Sequence, residues 1–273
     1  MKLSAFFLAL CVLPASLELG AHPGVDAALA YFSEQIQAHP KDQSLYLQRG
    51  TVYSNDGQYP QALSDFQRAA QLGDQVLVSF DLGVLHYRQG DFEVARRYFD
   101  EYLHRFPDNT SCLEYRARLL RDMGDSDAAI VDYRRLFELE QHPNPGHYIT
   151  VAEMLASEGG KGVDQALAIL DQGNLKLGIT PQLQQYAIQL ELRRDRPLAA
   201  LDRLRALQPI LGQSPEWKVD MGELLFQTGN KEQAAAMLDA AALQISTLRK
   251  TPARLATLER INSLRVQLAP AAT

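Results

Sequence analysis

Residues 76–109 read VLVSFDLGVLHYRQGDFEVARRYFDEYLHRFPDN. Apolar residues recur at three- and four-residue spacings on both sides of Gly90, which indicates two amphipathic helices joined by a turn. Glycine readily adopts the left-handed conformation that ends a helix, so Gly90 is the expected turn residue. Ala95 and Phe99 belong to the second helix, and Pro107 stops it because proline cannot continue the backbone hydrogen bonds. The stretch therefore predicts a helical hairpin.

The same arrangement recurs along the chain. A glycine is followed five residues later by an alanine at Gly57 and Ala62, Gly90 and Ala95, Gly124 and Ala129, and Gly229 and Ala234. The first three glycines are 33 and 34 residues apart, and the fourth follows 105 residues later, close to three further periods. A fixed period of this length is typical of stacked structural repeats.

Small and large residues recur at fixed positions in the predicted hairpins. Small residues on the first helix allow the helix axes to approach closely, and large residues fill the space between neighbours. The small residues are Gly50, Gly83 and Ala117, and the large ones include Tyr46, Phe66 and Phe99. Polar residues directly after the turns, Asp91, Asp125 and Asn230, are predicted to cap the second helices.

The repeat resembles the tetratricopeptide repeat family, whose pattern is aromatic, small and aromatic, then alanine, aromatic and proline. The resemblance implies an all-α fold, a right-handed solenoid of about six helical hairpins with flanking end helices. It is strong in units 43–75, 76–109 and 110–143 and degenerate in units 144–179 and 180–213, and a sixth unit spans 214–247. The predicted organisation is a signal peptide over 1–21, an N-terminal end helix over 22–42, one continuous solenoid over 43–247, and a C-terminal capping helix with a tail over 248–273.

The N-terminal segment differs from the rest of the chain. Lys2 is followed by 12 residues without charge, 3–14, which are too few to cross a bilayer comfortably but fit the core of a signal peptide. Ala21 offers a cleavage site ahead of His22. We therefore predict an exported protein, periplasmic or secreted. The alternative is an uncleaved segment that tethers an assembly factor to a membrane.

Composition and motifs argue against several classes of activity. The 273 residues carry a formal net charge of −6, which disfavours binding to a nucleic-acid backbone. The sequence contains no phosphate loop, nucleophile elbow, zinc-protease or dinucleotide motif, so we predict no catalytic residue, no metal site and no cofactor. Cys112 and Trp217 are predicted to be buried core residues. An alternative function is copper handling by His22, which cleavage would place at the mature N-terminus.

The resemblance also implies where a partner would bind, because the first helices of such repeats line a concave groove. Aromatic and arginine side chains, which are enriched at binding hot spots, occupy several of these positions. The predicted partner-binding residues are Phe80, Tyr87, Arg88, Tyr115, Arg118 and Arg121. Alternatively, Phe80 and Tyr115 pack against neighbouring first helices. We predict a non-catalytic scaffold or adaptor that binds a segment of another protein, for an envelope-associated complex.

A locally basic stretch lies near the C-terminus. It comprises Arg249, Lys250, Arg254, Arg260 and Arg265. Two interpretations remain open: the stretch either meets an acidic neighbour or covers the end of the core.

Overall fold

The computed structural model describes residues 23–157 and 159–269, which contain fifteen helices and no strand. The helices are α1 (Pro23–Ala38), α2 (Gln43–Asn55), α3 (Tyr59–Leu72), α4 (Gln75–Gln89), α5 (Phe92–Arg105), α6 (Thr110–Asp122), α7 (Ser126–Leu139), α8 (Pro145–Ala156), α9 (Gly160–Leu177), α10 (Pro181–Arg193), α11 (Pro197–Ala206), α12 (Gln208–Leu211), α13 (Pro215–Gln227), α14 (Lys231–Ser246) and α15 (Pro252–Leu268).

Twelve of these helices form six consecutive hairpins. The pairs are α2–α3, α4–α5, α6–α7, α8–α9, α10–α11 and α13–α14, with α1 before them, α15 after them and the short α12 following α11. The prediction of an all-α fold built from helical hairpins is confirmed. The chain divides into two compact units, one ending at Tyr115 and the other beginning at Arg116, so the boundary falls inside α6.

The turns inside the hairpins have the predicted left-handed backbone. The φ angles of Gly57, Gly90, Gly124 and Gly229 are 78°, 83°, 83° and 84°. The fifth hairpin has no glycine at this point, and Asp195 adopts the left-handed conformation instead, with φ at 55°. Aspartate tolerates this region better than most residues because its short side chain can form local hydrogen bonds. The turn geometry is therefore retained where the glycine is missing.

Close approach of the paired helices is confirmed at the small residues. A Cβ atom added to Gly83 would lie 2.5 Å from Cε1 of Phe99, and one added to Gly50 would lie 2.6 Å from Cε1 of Phe66. Both phenylalanine rings are fully or almost fully buried. The ring on the second helix therefore occupies the space that a side chain on the first helix would need.

The predicted caps are confirmed at only one of three positions. Asp125 accepts a hydrogen bond from the Ala128 backbone N–H at 3.3 Å. The prediction was wrong for Asp91, whose carboxylate faces His86 instead, with Nδ1 and Oδ2 separated by 3.3 Å. It was also wrong for Asn230, whose amide donates to Thr228. In both cases the side chain turns back toward the preceding helix rather than forward to the next one.

Cys112 and Trp217 are buried, as predicted. The Cys112 thiol donates to the Phe99 carbonyl, with Sγ and O separated by 3.8 Å. The Trp217 indole donates from Nε1 to the Leu204 carbonyl at 3.0 Å. Partners of this kind satisfy the polar atoms that burial removes from water. Both residues therefore contribute to the packing of the core.

Among the described residues, two bidentate ion pairs join the first and second helices of a hairpin, and sequence reasoning did not identify them. The Arg49 guanidinium donates to both carboxylate oxygens of Asp65, at 2.7 Å each, and Arg116 does the same to Asp132. Both carboxylates are buried. A signal was present, because each arginine directly precedes the small residue of the first helix and each aspartate precedes the aromatic residue of the second.

Candidate partner-binding surfaces

The first candidate surface lies in the unit that ends at Tyr115 and carries the predicted aromatic residues. The Phe80 and Tyr115 rings are 5.7 Å apart in an edge-to-face arrangement, and the Tyr87 and Tyr115 rings are 6.3 Å apart. Phe80 also contacts Tyr102, at 5.6 Å between centroids, and Tyr115 contacts the buried Phe99 at 6.1 Å. Such geometries are favourable for aromatic pairs.

The alternative interpretation, that Phe80 and Tyr115 pack against a neighbouring first helix, is therefore observed. Packing and recognition are compatible here, because Phe80, Tyr87 and Tyr115 are all only half-buried. Their exposed parts present a rigid aromatic surface, and a rigid surface loses little conformational freedom when it binds. A role in partner binding stays a prediction.

Arg88 has a structural contact that the sequence did not indicate. Its Nη1 donates to the Ser54 carbonyl at 2.9 Å and to the Ser54 hydroxyl at 3.2 Å. Ser54 lies in the last turn of α2, where backbone carbonyls lack partners within the helix. Arg88 therefore ties α4 to the end of α2, and any partner would meet a guanidinium that is already partly engaged.

The remaining two predicted residues lie in the second unit, on the C-terminal part of α6. Arg118 is half-buried, whereas Arg121 is exposed and pairs with Asp122 at 2.8 Å. An exposed ion pair between adjacent residues contributes little to stability.

Sequence reasoning missed a half-buried carboxylate that directly follows Phe80 of this first surface. Burial raises the pKa of Asp81 to about 6, although a hydrogen bond from Thr51 opposes the shift. The Thr51 hydroxyl lies 3.1 Å from the carboxylate and 2.9 Å from the Leu47 carbonyl. A protonated Asp81 can donate to Thr51, which then donates to Leu47, so the neutral carboxyl satisfies both groups.

The second candidate surface is a pocket of about 620 Å³ in the unit that begins at Arg116. It lies between α10 and α13, with Arg260 of α15 at its edge. Arg260 donates to Asp220 at 2.7 Å and also pairs with Glu223. Arg265 of the same helix pairs with Asp239. Both interpretations of the basic C-terminal stretch are thus supported: Arg260 and Arg265 contact acidic side chains, and Ile261 and Leu264 of the same helix cover the core.

Several predictions concern residues outside the part of the chain that the structure describes. The signal peptide over 1–21 and the copper-binding role of His22 fall there. Between residues 23 and 269, apart from residue 158, no three His, Cys, Asp or Glu side chains are close enough to share a metal ion. The helices within those ranges include none that is long and apolar enough to cross a membrane.

Sequence comparisons place the repeat in a known family. The model of the tetratricopeptide repeat matches residues 47–110 and 80–143. The chain is 24% identical over 143 residues to the photosystem I assembly protein Ycf3 of Synechococcus sp. (strain CC9311), which covers 47% of this chain and 83% of that protein. It is 26% identical over 126 residues to the Saccharomyces cerevisiae (strain ATCC 204508 / S288c) mitochondrial import receptor subunit TOM70, covering 46% of this chain but only 20% of the receptor.

A solved structure supports the fold beyond the matched repeats. The Pseudomonas aeruginosa protein PilF aligns with a TM-score of 0.52 at 16% identity, covering 71% of this chain and 88% of that one. Identity this low shows the fold alone. The matched repeats agree with the hairpins and with the left-handed glycines that follow α2, α4, α6 and α13. Residues 47–143 therefore match the tetratricopeptide repeat, and the helical hairpins continue beyond them.

Proposed function

We propose that this protein is an exported, non-catalytic scaffold that binds a segment of another protein and helps to assemble an envelope-associated complex. The observation that carries the proposal is the aromatic cluster of Phe80, Tyr87 and Tyr115, whose rings support one another while each keeps part of its surface exposed. Aromatic side chains held in this way supply contact area at low entropic cost. The names of two relatives, an assembly protein and an import receptor subunit, agree with an interaction role.

The predicted arginines would add specificity in their own units, Arg88 beside the aromatic cluster and Arg118 with Arg121 in the unit that begins at Arg116. Arg88, Arg118 and Arg121 bring positive charge, and guanidinium groups recognise carboxylates through paired hydrogen bonds. A partner segment that combines acidic and apolar side chains fits this chemistry.

Capture by crosslinking in the native host tests the proposal. The wild-type chain is compared with Arg118→Glu/Arg121→Glu, and the recovered proteins are identified by mass spectrometry. We expect the double variant to keep its helical circular dichroism and melting temperature but to lose the partner. The matched control is Arg97→Glu/Arg134→Glu, which reverses two exposed arginines on the second helices α5 and α7. Equal recovery by both double variants and wild type would refute the site.

Export is tested separately by the intact mass of the protein isolated from its host. The uncharged run at 3–14 and the cleavage site at Ala21 support a mature chain that begins at His22. A mass corresponding to residues 22–273 is the expected result. A mass that includes residues 1–21, together with recovery in the membrane fraction, would favour the tethered alternative.

A further inference from the structure

We propose that the pocket between α10 and α13 is a second peptide-binding site, which takes a bulky apolar side chain flanked by lysine or arginine. The site lies wholly in the unit that begins at Arg116 and shares no residue with the proposed scaffold surface. It therefore goes beyond the proposed function, and either site can fail its test without the other.

The floor of the pocket is apolar and well supported. The apolar side chains that line it include Ile188, Leu192, Leu204, Leu207, Trp217 and Leu224. The Trp217 indole is held by its hydrogen bond to the Leu204 carbonyl, and Leu192 remains 40% exposed. A volume of about 620 Å³ falls within the range of pockets that bind ligands. An apolar side chain entering this space would cover surface that now faces water.

The shape of the pocket favours a chain segment over a compact molecule. Its lining on α13 runs from Glu216 to Gln227, or about 16 Å at 1.5 Å per residue. An extended peptide covers that length with about five residues. Three amide side chains also line the pocket, those of Gln185, Gln189 and Gln227. Each can both donate and accept hydrogen bonds, as recognition of a peptide backbone requires.

Charge at the rim favours a basic partner. Glu216, Asp220 and Glu223 are the acidic residues that line the pocket, and Arg260 is the only basic one among the lining residues the structure describes. Asp220 and Glu223 share this single guanidinium. Burial raises the pKa of Asp220, and the neighbouring carboxylates add to the shift, although Arg260 opposes it. Arg254 offsets part of the Glu216 charge, so the excess negative charge concentrates at Asp220 and Glu223.

The preference of the pocket for basic peptides is tested by selecting, from a display library of random heptapeptides, those that bind the purified protein. Selection on wild type is expected to enrich peptides that combine a bulky apolar residue with lysine or arginine. Fluorescein-labelled synthetic copies of the enriched peptides are then titrated by fluorescence anisotropy. In Asp220→Asn/Glu223→Gln we expect the dissociation constant to rise at least tenfold. The control, Glu232→Gln/Asp127→Asn, removes two exposed carboxylates from α14 and α7, away from the pocket, and should bind as wild type does.

The apolar requirement is tested with the same peptides. Leu192→Ser is expected to weaken their binding, whereas Leu243→Ser, at a more exposed leucine on α14, should not. Circular dichroism melting confirms that each variant is folded. Failure to enrich any peptide, enrichment without basic residues, or equal affinity of Asp220→Asn/Glu223→Gln and wild type would overturn the proposal. Self-association of the wild-type chain that this double variant abolishes would assign the pocket to a second copy instead.

Discussion

Replacing Gly83 by alanine tests the close approach of α4 and α5. The new Cβ would lie 2.5 Å from Cε1 and 2.6 Å from Cδ1 of Phe99, far inside ordinary contact distance. The Phe99 ring is fully buried and has the rings of Phe80 and Tyr115 as neighbours, 6.3 and 6.1 Å away between centroids. The ring therefore has little room to move, and the backbone must shift.

The expected loss of stability follows from two opposing effects. Overpacking a well-packed core costs about 1–3 kcal/mol. Alanine recovers about 0.8–1.0 kcal/mol relative to glycine inside a helix. Because an approach of 2.5 Å places the overpacking cost in the upper part of its range, about 2–3 kcal/mol, we expect Gly83→Ala to lower the free energy of unfolding by about 1–2 kcal/mol. Gly83→Leu should lower it further, to the upper end near 3 kcal/mol, because its side chain is larger.

The assay is urea unfolding followed by circular dichroism, with the midpoint compared at constant slope. Gly24→Ala in α1 is the matched control, because nothing lies within 4 Å of its added Cβ. A second test combines Gly83→Ala with Phe99→Leu, since a smaller residue at position 99 relieves the contact. The penalty of Gly83→Ala should then shrink, giving a measurable coupling energy. An unchanged midpoint for Gly83→Ala, or an equal penalty in both backgrounds, would refute the reasoning.

Three further substitutions test polar contacts and one turn. Asp65→Ala should lower stability by about 3 kcal/mol, because Arg49 loses its buried partner, and Arg49→Met/Asp65→Leu should recover most of that loss in urea unfolding. Asp81→Asn should stabilise the fold at pH 8, where the half-buried carboxyl of wild type is charged. Because the pKa of Asp81 is raised to about 6, this advantage should decline as the pH falls through 6 and vanish below about 4; a constant difference between pH 8 and pH 4 would contradict it. Asp195→Gly should raise the free energy of unfolding by up to about 1 kcal/mol, because glycine adopts the positive φ of this position without strain, whereas Asp195→Ala should not raise it. Equal melting temperatures of the two variants would contradict this explanation of the turn.

The two proposed surfaces differ in the charge they prefer. The aromatic surface is accompanied by arginines and favours an acidic segment, whereas the pocket beside α13 carries excess carboxylates and favours a basic one. The two surfaces could bind one partner that has both an acidic and a basic segment, or they could bind two different partners. Capture with Arg118→Glu/Arg121→Glu and peptide selection with Asp220→Asn/Glu223→Gln distinguish these cases, because each variant alters only one surface.

The repeat architecture could be predicted because its signals are local. Helical periodicity and a turn glycine depend on residues within a few positions of one another, so Gly57, Gly90 and Gly124 predicted the hairpins and their left-handed turns. The pairing of small with large residues was also readable, since the repeat period aligns Gly50 with Gly83 and Phe66 with Phe99. The burial of Trp217 followed from its register in the repeat.

The polar contacts were decided by the tertiary structure. Arg88 bonds to Ser54, 34 positions earlier, and Arg260 pairs with Asp220, 40 positions earlier. No local pattern selects such partners, because several charged residues share each helix face and only the packing of neighbouring helices brings one of them within reach. The pocket beside α13 arises in the same way, since it forms where α10 and α13 leave space above Trp217. The sequence alone thus determined the repeat and its turns, whereas the structure determined which charges are paired and where a cavity remains.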